Sequence, residues 1–225
     1  MNRILGLLIL FALSLPALSL SKGILNADIT ITPESSYEVF QVMRDAKKKF
    51  RKGKVQEAAP LFIQTLKKAL KNNPHKNIDQ FDYLYAHYGI LSALKNDEKQ
   101  KKTYKTLAKK ILTFLDKATI KGIWEEGELG QMQMLVYRRV GNQLASLLYK
   151  ESKREDKKKL QEALRIIKKS EDYIRKDNQM YIKETQEKIT NAIEGKPPLS
   201  GEKALLKTEK EDENQTKSKK IPQKR

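Results

Sequence analysis

Residues 55–70 read Val55-Gln56-Glu57-Ala58-Ala59-Pro60-Leu61-Phe62-Ile63-Gln64-Thr65-Leu66-Lys67-Lys68-Ala69-Leu70. The apolar positions Val55, Ala58, Ala59, Phe62, Leu66, Ala69 and Leu70 recur in steps of three and four, the period of one helix face and not of a strand. Pro60 has no backbone N–H and is tolerated only near a first turn, so this helix is expected to start later than its stripe. Gly53 before it and Asn72-Asn73-Pro74 after it mark the ends.

The same period continues in both directions. Upstream, Tyr37, Phe40, Met43, Ala46 and Phe50 form a stripe, with Thr32 placed to cap and Pro33 to open the helix. Downstream, Asp79 precedes Phe81, Leu84, Tyr85, Tyr88, Leu91 and Ala93; a turn at Lys95-Asn96-Asp97 leads to Tyr104, Leu107, Ala108, Ile111, Leu112, Leu115 and Ala118. A fifth stripe settles from Met132 as Leu135, Val136, Val140, Leu144, Leu147 and Leu148, its start weakened by Gly127 and Gly130. The sixth has Leu160, Ala163, Leu164, Ile167, Tyr173 and Ile174, and the seventh Tyr181, Ile182, Thr185, Ile189, Ala192 and Ile193. Seven helices on short links, without a convincing strand, predict an all-α protein of antiparallel neighbours over 33–195. Residues 22–32 read as an extended leader, 150–159 as a charged loop or exposed helix extension, and 196–225 as a disordered basic tail.

Two of the helices share a pattern: Tyr85-x-x-Tyr88-Gly89-x-x-Ser92 and Tyr137-x-x-Val140-Gly141-x-x-Leu144. Ala58–Phe62, Ala108–Leu112 and Ala163–Ile167 repeat an alanine followed four residues later by a large side chain. These elements resemble the two helices of a tetratricopeptide repeat, over roughly 33–194. Gly89 and Gly141 lie 52 residues apart and Lys47 stands where the first unit's glycine is expected, so the likeness is to the repeat's style of packing rather than its regular period. The resemblance implies hairpins stacked into a short superhelix with the seventh helix as a cap. It also implies a concave groove lined by Gln41, Arg44 and Lys48, by Tyr83, Ala86 and Ile90, and by Arg138 and Asn142.

The start of the chain reads as an address. After Arg3, Ile4 to Leu20 carry no charge, Pro16 breaks the run, and Ser19 and Ser21 offer a small-residue exit. This is the pattern of a secretory signal peptide over 1–21, with Lys22 as the mature start, cutting after Ala27 as a second option and an uncleaved anchor as the alternative. Either way the body is expected outside the cytoplasm, periplasmic or secreted.

The chain has 225 residues and a formal charge of +18, of which +13 falls in 22–195 and +4 in the tail. That charge implies attraction to anions: acidic peptide or protein, envelope polymers or lipids. Arg is scarce beside Lys, which makes nucleic acid a poor fit. The absence of Cys excludes disulfides, thiolate metal sites and thiol nucleophiles, and only His75 and His87 are available for imidazole chemistry. His75 sits in a turn and His87 reads as a groove or surface histidine. Glu125, Glu126 and Glu128 lack the spacing of a calcium loop and suit a helix start. Glu151-Ser152 and Gly130-Gln131-Met132-Gln133 partly resemble soluble lytic transglycosylases, but the order is reversed and the leucine is missing. Neither cofactor nor metal is expected. The reading is a non-enzymatic scaffold that binds peptide or protein in a basic groove; the alternative is a binder of anionic polymers or lipids, and an enzyme would need Glu151 in a closed apolar pocket.

Overall fold

The computed structural model describes Ile29 and residues 31–70, 77–120, 127–171 and 180–199. The signal segment, most of the leader, the Asn72-Asn73-Pro74 turn, His75, Glu125, Glu126, Tyr173, Ile174 and the tail from residue 200 lie outside them. The protein is all-α: the described residues hold seven helices and no strand beyond two isolated bridges. The helices belong to two compact units, one within Met1–Ala93 and one within Leu94–Arg225.

The first unit contains α1 (Tyr37–Arg51), α2 (Val55–Lys68) and α3 (Gln80–Leu94). Helix α1 starts at Tyr37, not at Pro33, because the residues ahead of it are held elsewhere. Thr32 N–H donates to Ile78 O at 3.1 Å, Ser36 N–H to Asn77 O at 3.0 Å, and Ser35 Oγ to Asp79 Oδ2 at 2.8 Å. Ile29 and Ile31 bridge to Leu70 and Ile78, so the chain enters as a strap laid across the approach to α3. Asp79 then caps α3 by accepting from Asp82 N–H at 2.8 Å.

The buried stripe of α1 is also shifted from the expected one. Val39, Met43 and Ala46 are buried, while Tyr37 and Phe40 are 75% and 50% exposed. Pro60 lies inside α2, which begins at Val55 after all. Pro60 and Gln56 are both exposed, so the carbonyl that loses its donor belongs to the solvent side of the helix, where the loss costs least. Phe50 of α1 meets Phe62 of α2 and Tyr85 and Tyr88 of α3 edge-on, with ring centroids 5.8 to 6.0 Å apart; such pairs add about 0.5–1.5 kcal/mol each beyond burial. Phe62 is fully buried and packs directly on Gly89, where any Cβ would fall 2.1 Å from the ring.

The second unit contains α4 (Lys101–Ile120), α5, α6 (Lys157–Glu171) and α7 (Met180–Ile193), with a short 3₁₀ turn Glu98–Gln100 ahead of α4. Helix α5 is one rod in three parts: Glu128–Val136, a π turn Tyr137–Gly141, and Asn142–Ser152. It therefore begins before Met132, and Gly130 is buried inside it. The charged stretch 150–159 splits into the end of α5 and a tight turn. Lys153 and Arg154 take positive φ there, and Asp156 caps α6 by accepting from Lys159 N–H at 3.1 Å. That bond, followed by the Lys159 ammonium, holds the Asp156 carboxyl below its usual range. Helix α5 packs on α6, and α6 on α7.

The π turn has a visible cause. Gly141 lets α6 approach until Ser170 Oγ sits 2.2 Å from where a Cβ would be, and that hydroxyl lies 3.2 Å from the Tyr137 carbonyl loosened by the turn. The two glycines of the shared pattern are thus both points of close approach. Gly89 receives a ring from the preceding helix and Gly141 a hydroxyl from the following one.

Candidate functional site

Helix α1 buries Val39, Met43 and Ala46, and its last turn carries Lys48, Lys49 and Arg51. Phe40, Met43, Arg44, Lys47, Lys48, Arg51 and Lys52 line a cleft of about 370 Å³ along it, within the size range of small ligand or side-chain pockets.

The cations of this cleft are not equivalent. Lys47 is turned inward: its ammonium pairs with Asp82, whose side chain is 4% exposed, and lies 4.6 Å from the Phe81 ring centroid and 5.4 Å from that of Tyr85. Asp82 also accepts from Ser35 Oγ at 2.9 Å, so Lys47 belongs to the clamp that holds the strap on α3. Arg44 is paired, among the described residues, with its neighbour Asp45, 3.9 Å away and equally exposed. Among the described residues, no carboxylate pairs with Lys48, Arg51 or Lys52. Lys49, on the other side of the helix end, is taken by Glu57 at 2.8 Å. That bond first, and Lys54 second, hold the Glu57 carboxyl below its usual range.

Like charges three and four residues apart on a helix repel by roughly 0.2–0.5 kcal/mol per pair. Arg44, Lys48, Arg51 and Lys52 are so spaced. The helix C-terminus offsets part of that repulsion; an arriving anion would relieve the rest.

The residues expected to form a groove separate into three groups. Arg44 and Lys48 stand together in the cleft, and Gln41 lies half-buried on the same helix. Tyr83, Ala86 and Ile90 are 5%, 0% and 0% exposed, and offer a ligand no surface. The register of Gly89 places them on a groove face, but α3 is nearly apolar around its whole circumference and is buried on that side as well. His87, expected at a surface or groove, is fully buried too, with Nδ1 2.8 Å from the Tyr83 carbonyl. Arg138 and Asn142 are half-buried residues of the second unit, at the π turn of α5.

Burial pushes the Tyr83 phenol up to about 12. Glu151, the residue on which a hydrolytic reading rested, gives both oxygens to Lys105 Nζ at 2.6 Å, in an ion pair between α5 and α4. No group of three or more His, Cys, Asp or Glu poised to hold a metal occurs among the described residues, and no described helix is long and apolar enough to cross a membrane.

Sequence reasoning missed Phe40, Arg51 and Lys52 as site residues. Phe40 was read as core because Tyr37-Phe40-Met43 and Val39-Met43-Ala46 both have helical spacing. The larger rings dominate the first pattern, but the second is the one buried.

Fold and cleft together describe an all-α protein with a cluster of basic residues along its first helix. No protein-family model, no curated protein and no solved structure matches the chain.

Proposed function

We propose that the chain is a non-enzymatic binding scaffold of the cell envelope, which holds an acidic peptide or protein segment in the cleft of α1. One observation carries this reading: Arg44, Lys48, Arg51 and Lys52 line a cleft in which no described carboxylate neutralises Lys48, Arg51 or Lys52. A carboxylate-bearing segment laid there gains several charge-assisted hydrogen bonds at once, and the two arginines are suited to bidentate contact. The commitment of Glu151 to Lys105 argues against a hydrolytic role for that residue. The envelope assignment rests on the uncharged run Ile4 to Leu20 behind Arg3, and implies a periplasmic or secreted body.

The +13 charge of residues 22–195 favours a second reading, attachment to anionic polymers or lipids, which needs no cleft and depends on charge alone. A triple charge reversal, Arg44→Glu with Lys48→Glu and Arg51→Glu, is the test. Acidic-peptide affinity should fall about a hundredfold or more, the scale of losing two or three charged contacts, with the helical circular dichroism retained because these side chains are exposed. Retention of full affinity by the triple variant refutes the assignment of the cleft.

A further inference from the structure

The cleft has two chemically different ends. Three large apolar side chains are exposed among the described residues, Tyr37, Phe40 and Met134, and two of them stand one turn apart at the start of α1. Phe40 lines the cleft directly, beside Met43, and the cleft's cations begin one turn further on, at Arg44. Tyr37, Phe40, Arg44, Lys48 and Arg51 follow one another in steps of three and four, so a single strip of helix surface runs from aromatic to cationic.

From this polarity we infer that the ligand is bipartite: a peptide segment with an apolar anchor that covers Phe40, followed at a set distance by two or more carboxylates that meet Lys48, Arg51 and Lys52. The inference rests on the proposed function and narrows it to one class of partner. Charge complementarity selects the acidic part, and the exposed aromatic pair selects the anchor.

The spacing follows from helix geometry. At about 1.5 Å of rise per residue, Lys48 stands about 12 Å and Lys52 about 18 Å beyond Phe40. An extended peptide advances about 3.3 Å per residue. The carboxylates that reach Lys48 to Lys52 therefore fall about four to five positions from the anchor, and a partner with the two parts far apart engages only one end. The order along the strip also gives direction: the anchor lies toward the N-terminus of α1 and the acids toward its C-terminus. A flat anionic surface carries no such spacing requirement and would use the aromatics only by insertion.

The test uses the mature chain and synthetic peptides, read by fluorescence anisotropy at physiological salt. The parent peptide carries Leu-Phe, a three-residue Gly-Ser spacer, then Glu-Glu-Asp-Glu. One variant replaces Leu-Phe by Ser-Ser, and a second lengthens the spacer to about ten residues. Burial of the anchor should make the parent bind about tenfold tighter than either variant, and Phe40→Ser in the protein should abolish the difference between the parent and Ser-Ser peptides. Because Phe40 is half exposed, the variant should keep the wild-type circular dichroism and thermal midpoint; if it does not, Phe40→Gln provides the same test.

Equal affinity for the parent and Ser-Ser peptides overturns the bipartite ligand and leaves the acidic-segment reading intact. Equal affinity for the short and long spacers overturns the spacing. Failure of every acidic peptide to bind overturns both the inference and the proposed function. Binding to phosphatidylglycerol vesicles with no peptide binding overturns both in favour of a membrane surface.

Discussion

In the second unit, Lys105, Lys109 and Lys169 each reach across a seam between helices to a carboxylate: Glu151 at 2.6 Å, Glu162 at 2.7 Å and Asp116 at 2.8 Å. In the first unit, Lys48, Arg51 and Lys52 line a cleft with no described carboxylate beside them. The two sets are alike in composition and unlike in use. The seam lysines are part of how helices register on one another, whereas the cleft cations repel one another with no ion pair from a described carboxylate at Lys48, Arg51 or Lys52. A total charge of +18 says nothing of this division, which depends on where the acids are. Lys47 stands between the two cases: it lines the cleft, but its charge is spent on the buried Asp82.

The comparison can be sharpened by replacing lysines one at a time. Lys47→Met should have the largest effect on stability, about 3–4 kcal/mol in chemical denaturation, because it strands a nearly buried carboxylate and loosens the strap that Ser35 ties to Asp79 and Asp82. A midpoint close to wild type would show Asp82 to be satisfied without it.

Raising the pH tests the comparison differently. It ionises a buried phenol in the first unit. Tyr83 titrates near 12 in the fold against 10.0 ordinarily, so folding holds a proton that the unfolded chain gives up. Its contribution is fully present below pH 10 and is lost as pH rises through 12. The loss amounts to roughly 2–3 kcal/mol. Tyr83→Phe should flatten the fall in stability between pH 10 and 12 relative to wild type, and an unchanged slope would remove Tyr83 as its cause. Smaller effects follow at the seams and in the cleft. Lys105→Met should cost about 1 kcal/mol, as a half-exposed pair does, with acidic-peptide affinity unchanged. Lys48→Met should leave stability as it is and weaken the peptide. If the two variants behave alike, the division between seam and cleft fails.

The all-α class and the seven helices were legible because period-3.6 stripes are long and Gly and Asn mark the links. The start of α1 was not, since the competing bonds of Thr32, Ser35 and Ser36 to residues 77–82 lie more than forty positions away. Pro60 was misjudged for a related reason: its cost depends on whether Gln56 is open to solvent, which no local pattern states. Of the candidate site, the shared helix face of Arg44 and Lys48 was legible from their four-residue spacing. Tyr83, Ala86 and Ile90 were misplaced because alignment on Gly89 identifies a packing contact and not the side left open. The π turn at Tyr137–Gly141 rests on Ser170, a small polar residue whose importance comes only from what it touches.

The assignment of the cleft is tested most directly by mapping where the acidic peptide touches the protein, through backbone amide shifts in nuclear magnetic resonance titration. The largest shifts should fall on α1, from Tyr37 to Lys52, with Lys105, Lys109 and Lys169 unmoved. Shifts centred on the seam lysines of the second unit, or spread evenly over every lysine, would contradict the account.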